Sequence, residues 1–262
     1  MADGWRPKLV ALDVDGTVLD HDGSLPDEVR AAVRSVTDAG VPVVLATGRS
    51  WHSTLPVVAA LGLSHGPSVC SNGAVLVDFP PERIVKAATF DPRTVIEKVE
   101  AHAPGTLIAV EEIGRGYRLT GHFPAGDLTG EMIIEDAEQL SSRPVTRIIL
   151  RDPDRSDHDF IALAEQLGLH GVQYYVGYSA WLDIAPEGVT KASGLAEVVA
   201  ELGVSAADVL AVGDGRNDAE MLAWAGRGVA MGQAPAEVRQ IADAVTGNYV
   251  ERGLVSELGR WF

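Results

Sequence analysis

Residues 8–17 read KLVALDVDGT: a lysine, a four-residue apolar run, two aspartates spaced i, i+2, and a glycine-threonine pair. Aliphatic residues closed off by Asp and Gly read as a buried strand followed by a turn. In extended backbone residues i and i+2 share a face, so Asp13 and Asp15 converge just past the strand's carboxyl end, where open α/β sheets bind ligands. Two close carboxylates repel unless a cation sits between them or one holds a proton, conditions that suit a hard cation such as Mg²⁺ or general acid chemistry. Gly16 permits a tight turn and Thr17 adds a hydroxyl; the same residues also read as a plain solvated turn.

Outward from this strand the chain alternates apolar and amphipathic stretches, the pattern of β-α-β units on a parallel sheet. Ser24 reads as an N-cap, Pro26 as a first-turn residue, Val29, Val33 and Val36 as one helical face, and Gly40 as the stop. Residues 41–46 are a second strand and 51–61 a second helix, with Pro56 a kink or restart. The tail repeats the style, with a helix over 192–202, a strand over 209–212, a helix from Asp218 and a strand over 228–231. Pro80-Pro81 and Pro186-Glu187-Gly188 punctuate the chain. The expected organisation is a first core part over 1–82, an inserted α/β domain over 83–184 and a second core part over 185–262. Strands are expected in the insert at 107–110, 145–150, 172–176 and 181–184, and helices at 94–101 and 158–167.

Three more loops follow predicted core strands. Thr47-Gly48-Arg49 opens a helix, whose free N–H groups suit a phosphate. Ser71-Asn72-Gly73 is a turn signal. Gly213-Asp214-Gly215-Arg216-Asn217-Asp218 is acidic, with Asp214 the better candidate metal ligand and Asp218 placed to favour the helix dipole or orient its neighbours. Asn217 with Glu220 also fits a capping box. Lys191, one of only four lysines beside 17 arginines, starts a helix, where a cation is disfavoured unless it answers an anion. Each loop alone has a structural reading; together they crowd acidic, basic and amide groups at the carboxyl edge of one sheet.

The segments DVDGT at 13, ATGR at 46, GVTKASGL at 188 and GDGRNDAEML at 213 resemble the haloacid dehalogenase superfamily, and the long insert resembles its Cof-type (IIB) branch with an α/β cap. The resemblance implies a Rossmann-like parallel-sheet core with an inserted cap that excludes water and reads the leaving group. It implies a Mg²⁺-dependent phosphatase of sugar phosphates or phosphorylated cofactors. Asp13 would be the nucleophile that forms an aspartyl-phosphate, and Asp15 the general acid and base. Asp13, the backbone carbonyl of Asp15 and Asp214 would hold the metal. Thr47, Gly48, Arg49, Asn72, Lys191 and Asn217 would bind phosphate or substrate, and Asp218 would support Lys191 or a metal-bound water. The same chemistry also serves a phosphomutase, and a catalytically silent metabolite-binding regulator is the reading from another class. The cap matches no motif; its Arg118, His122, Tyr174 and Tyr178 are polar candidates only.

Composition bounds the partners. The 262 residues carry a formal net charge of −16, so no basic footprint exists for nucleic acid or an anionic membrane. Cys70 is the one cysteine and no apolar stretch approaches a bilayer span, which fits a cytoplasmic monomer or homodimer. An anionic metabolite cannot be drawn in by the long-range field of such a protein. Local countercharge must do it.

Overall fold

β1 (Leu9–Leu12) is buried at every position, as a strand covered on both faces must be. Val10 and Leu12 pack into one apolar cluster and Leu9 and Ala11 into another, the alternation that lets one strand serve two layers. The computed structural model describes residues 4–154, 172–176 and 181–262. Around β1 the chain runs α1 (Asp27–Asp38), β2 (Val43–Ala46), α2 (Trp51–Leu61), β3 (Gly66–Cys70), β4 (Val75–Phe79) and β5 (Arg83–Ala87). After the insert come α5 (Lys191–Leu202), β12 (Val209–Gly213), α6 (Ala219–Trp224), β13 (Arg227–Ala230), α7 (Ala236–Ile241), β14 (Ala244–Val245) and α8 (Gly253–Leu258). The core sheet has the order β14-β13-β12-β1-β2-β3-β4-β5, parallel from β14 to β3, with β4 and β5 antiparallel. Helices α1, α2 and α8 cover one face and α5, α6 and α7 the other. Because β12, β1, β2 and β3 are parallel neighbours, the loops that follow them share one edge.

The insert supplies α3 (Arg93–His102), β6 (Leu107–Glu112), β7 (Gly116–Leu119), β8 (Glu131–Ile134), α4 (Ala137–Leu140), β9 (Ile148–Arg151), β10 (Val172–Val176) and β11 (Trp181–Pro186). They form a second sheet of order β10-β11-β9-β6-β7-β8. Ile108, Val110, Ile148, Leu150, Leu182 and Ile184 pack under α3, and the alternate residues form the opposite face. The core sheet takes in β5, past the break expected at residue 82, and β11 carries the second sheet to Pro186. The helix expected over 158–167 lies outside the described residues.

Local chemistry corrects some caps. Helix α1 begins after Pro26, which holds the cap position without a side-chain bond, while the Ser24 hydroxyl donates to Asp22 at 2.6 Å. Gly40 does close the turn after α1, at φ +76°, with Val41 N–H donating to Val36. Pro56 sits inside α2 without ending it. Among the described residues no helix is long and apolar enough to cross a membrane.

Candidate active site

Asp13 and Asp15 leave β1 together but their carboxylates take different partners. Asp13 is buried, and Lys191 Nζ donates to its Oδ1 at 2.6 Å. Asp15 is more exposed and takes a two-point pair from Arg49, Nε to Oδ2 at 2.8 Å and Nη2 to Oδ1 at 2.6 Å. The turn between them and β12 is tight: Gly16 has φ +83°, and a Cβ there would lie 2.4 Å from Asp214 Oδ2, so only glycine lets the two loops meet.

Lys191 is the first residue of α5, fully buried, behind a capping box in which the Thr190 hydroxyl accepts from Ser193 N–H and the Ser193 hydroxyl accepts from Thr190 N–H. The unfavourable helix dipole is answered by two carboxylates, since Nζ also donates to Asp218 Oδ1 at 2.6 Å. Burial alone would lower the lysine's pKa; the charges of Asp13 and Asp218 outweigh it and hold the ammonium above its ordinary value. Asp218 Oδ2 accepts from the N–H groups of Asp214 and Gly215 at 2.9 and 2.8 Å. The capping box expected from Asn217 and Glu220 is therefore not the one formed. Asp218 caps this loop, and Asn217 Nδ2 instead donates to Asn72 Oδ1 at 2.9 Å.

Three loops close round Gly48, whose Cβ, if it had one, would sit 3.2 Å from Asn72 Oδ1 and 3.5 Å from Asn217 Nδ2. Ser71 and Asn72 both adopt left-handed backbone, φ 50° and 54°, held by Ser71 N–H to Arg49 O and Asn72 N–H to Thr47 O. The weak turn signal at 71–73 thus belongs to the same surface as Thr47. The buried Thr47 hydroxyl accepts from Arg49 N–H at 3.0 Å, a bond that does not use its own proton.

Oxygens of Asp13, Asp214 and Asp218 lie within 4.8 Å of one another. Asp218 has both oxygens committed to Lys191 and backbone, so Asp13 and Asp214 are the carboxylates able to hold a cation. The Asp15 carboxylate is outside the group, which leaves its main-chain carbonyl as the donor it could offer. Three buried carboxylates answer one ammonium, and the imbalance shows in their acidity. Burial, then the charge of Asp218, raises the Asp13 pKa well above the usual range, and the same two causes push Asp214 to about 7. An all-oxygen, electron-rich set of this kind fits a hard divalent ion such as Mg²⁺.

This carries a pH consequence. A carboxyl bound more tightly by its proton in the folded state stabilises below its unfolded pKa, and that contribution is lost as pH rises through the folded value. For Asp214 the window runs from about 4 to about 7. In chelator, Asp214→Asn should therefore raise Tm over wild type at pH 8 and do so far less at pH 5. Several degrees are expected, since 1 kcal/mol is about 2–4 °C for a chain of 150–250 residues. Calorimetry at the two pH values checks this, and a pH-independent difference would refute it.

Above these groups lies a cavity of about 440 Å³, closed from the other side by Tyr117, Leu128, Arg147, Tyr175, Trp181 and Asp183 of the insert. None of these was apparent as a site residue in the sequence. The available signal was a charge breaking an apolar strand: Arg147 before Ile148, and Asp183 between Leu182 and Ile184. Arg118 is buried, but it is tied to Glu112 and Glu135 and does not line the cavity; nor does the exposed His122. The side chain of Tyr174 and all of Tyr178 lie outside the described residues.

A profile of the haloacid dehalogenase-like hydrolases matches residues 10–258. The chain belongs to this family. The hydrolase is 31% identical over 268 residues to pyridoxal phosphate phosphatase YbhA of Escherichia coli (strain K12), covering 92% of this chain and 93% of that one. It is 26% identical over 254 residues to 5-amino-6-(5-phospho-D-ribitylamino)uracil phosphatase YcsE of Bacillus subtilis (strain 168), covering 97% and 95%. A solved subclass IIB sugar phosphatase of the superfamily superposes with a TM-score of 0.83 at 21% identity, covering 96% of this chain and 98% of that one, a likeness of fold. The inserted α/β cap of this HAD hydrolase is the second sheet described above.

Proposed function

We propose that this hydrolase is a Mg²⁺-dependent phosphatase of small phosphorylated metabolites, sugar phosphates or phosphorylated cofactors, and that it works through an aspartyl-phosphate on Asp13. The observation that carries the reading is the buried Asp13 carboxylate, pinned 2.6 Å from Lys191 on the floor of a cavity roofed by the cap. An Asp13 oxygen attacks phosphorus in line with the leaving oxygen, which receives a proton from Asp15; Asp15 then takes a proton from the water that hydrolyses the acyl phosphate. Arg49 aims the Asp15 carboxylate. The Thr47 hydroxyl and the Gly48 N–H hold phosphate oxygens, with Arg49, Asn72 and Asn217 around them. Lys191 favours the ionised form of Asp13 against burial and the neighbouring carboxylates and meets the charge of the transferring group. Asp13, Asp214 and the Asp15 carbonyl hold the metal, which neutralises phosphate charge when bound. The cap excludes water and contacts the leaving group. Relatives that act on pyridoxal phosphate and on a ribitylaminouracil phosphate support a leaving group of this size.

The test is phosphate release with Mg²⁺ from a panel of sugar phosphates, nucleotides and phosphorylated cofactors. Turnover is expected with at least one, and excess chelator should bring it to background because Asp13 and Asp214 then face the phosphate without a cation and the net charge of −16 offers no long-range attraction. Isomerised rather than dephosphorylated hexose phosphate, or full turnover in chelator, would overturn the reading.

A further inference from the structure

On the cap face that meets the core, three charged side chains are buried together: Glu111, Arg147 and Asp183, each no more than 9% exposed. Arg147 Nε lies 2.8 Å from Asp183 Oδ1, and its Nη2 reaches Asp183 Oδ2 at 3.4 Å. Asp183 is also held by Trp181 Nε1 at 3.1 Å. The remaining edge of the guanidinium crosses to the core, where Nη1 donates to the carbonyl of Gly48. Glu111 makes a second crossing: its Oε2 accepts from the Ser71 hydroxyl at 2.6 Å, and from Thr146 at 3.3 Å. One cap cluster thus grips two of the loops that the phosphate reading depends on, and those two are bonded to each other.

Stability alone does not explain it. A buried ion pair is matched or bettered by apolar side chains of similar volume, so desolvated charges across an interface are best accounted for by the geometry they impose. That geometry is specific here. In a trans peptide the carbonyl and the following N–H point in opposite directions. Fixing the Gly48 carbonyl toward the cap therefore fixes the Arg49 N–H toward the Thr47 hydroxyl, a bond that does not use the hydroxyl's own proton. The Ser71 bond steadies a left-handed pair that has no glycine at either position. Both crossings exist only with the cap seated.

We propose that Glu111, Arg147 and Asp183 form a latch by which the seated cap sets the phosphate-binding loops, Arg147 and Glu111 being positioning residues that act through Gly48 and Ser71. Arg147 Nη1 bonds Gly48 and its Nη2 bonds Asp183, so the guanidinium ties the cap to the loop while also lining the cavity. The effect on turnover rests on the phosphatase reading; the effect on the loops does not.

Hydrogen exchange separates the two. In Arg147→Met the amides of Arg49, Ser71 and Asn72 are expected to exchange about 10-fold faster, with strands β6, β9 and β11 unchanged. In the same variant kcat/KM should fall and the inhibition constant of orthophosphate rise, each by about 10- to 100-fold, the range seen when a partner that orients a ligating group is removed. Arg147→Lys keeps the charge that Asp183 requires but loses the fork, and it decides the matter where methionine loosens the cap sheet. Faster loop exchange in a protein without phosphatase activity would uphold the latch and refute the proposed function. Unchanged exchange at the three amides in a folded variant would overturn the latch whatever the activity.

Discussion

Asp13→Asn is expected to lower kcat/KM by about 10⁴-fold or more, the scale of losing a covalent nucleophile, while leaving the protein at least as stable as wild type. The amide keeps the volume and polarity of the side chain but is no nucleophile toward phosphorus. Stability should hold because the wild-type carboxylate is buried beside Asp218 and Asp214, both of which raise its pKa, and only Lys191 opposes them. Removing that charge relieves repulsion, and Lys191 keeps its 2.6 Å partner in Asp218. Phosphate release and calorimetry in chelator check the two halves. Residual turnover within tenfold of wild type would end the nucleophile assignment.

Lys191→Met should fail on both counts. It removes the one cation from a group of three buried carboxylates, and deleting one partner of a buried pair costs about 3–5 kcal/mol because the survivor is left uncompensated. At about 2–4 °C per kcal/mol, Tm should drop by roughly 6–20 °C. Turnover should fall by about 10²–10³-fold at least, the usual loss for one preorganised charge-stabilising donor. Lys191→Met combined with Asp218→Asn should recover part of the stability and none of the turnover, since the two residues are coupled by direct contact. Recovery of turnover in the double variant would show Lys191 to be structural. The contrast with Asp13→Asn is diagnostic: one substitution removes a surplus anion, the other the cation that the anions need.

How far the site was legible can be judged from particular residues. Asp13, Asp214 and Asp218 stand in short segments after core strands and Lys191 at the start of α5, and the structure brings all four together. The i, i+2 spacing of Asp13 and Asp15 suggested one converged pair. In the fold Arg49 pairs with the Asp15 carboxylate while Lys191 pairs with Asp13, a division between loops that strand geometry cannot show. The Asn217–Glu220 spacing suggested a helix cap, but Asn72 claims Asn217 from 145 residues away in the chain. Gln233 was not singled out at all; its Nε2 donates to the Gly16 carbonyl at 2.7 Å and to Asp214 Oδ2 at 3.2 Å, steadying the acidic loop from the turn after β13. Ser24 likewise misled, because a hydroxyl near a helix start can bond a nearby aspartate as readily as the helix.

By itself the sequence determined the layered core and the edge at which chemistry sits. Apolar periodicity is a local consequence of burial, and strand-loop-helix punctuation places each polar loop at a carboxyl end whatever the remainder of the chain does. It also determined the electrostatic problem, a chain of net charge −16 whose proposed substrate is an anion. Only the tertiary structure decided which charges face one another and what closes the site from above. Arg147, just before β9, and Asp183, within β11, stand in stretches whose sequence says no more than that a charge interrupts an apolar run, and their meaning depends on the second sheet docking over Gly48 and Ser71. Contacts between segments a hundred residues apart are set by packing of the whole, and no local pattern carries them.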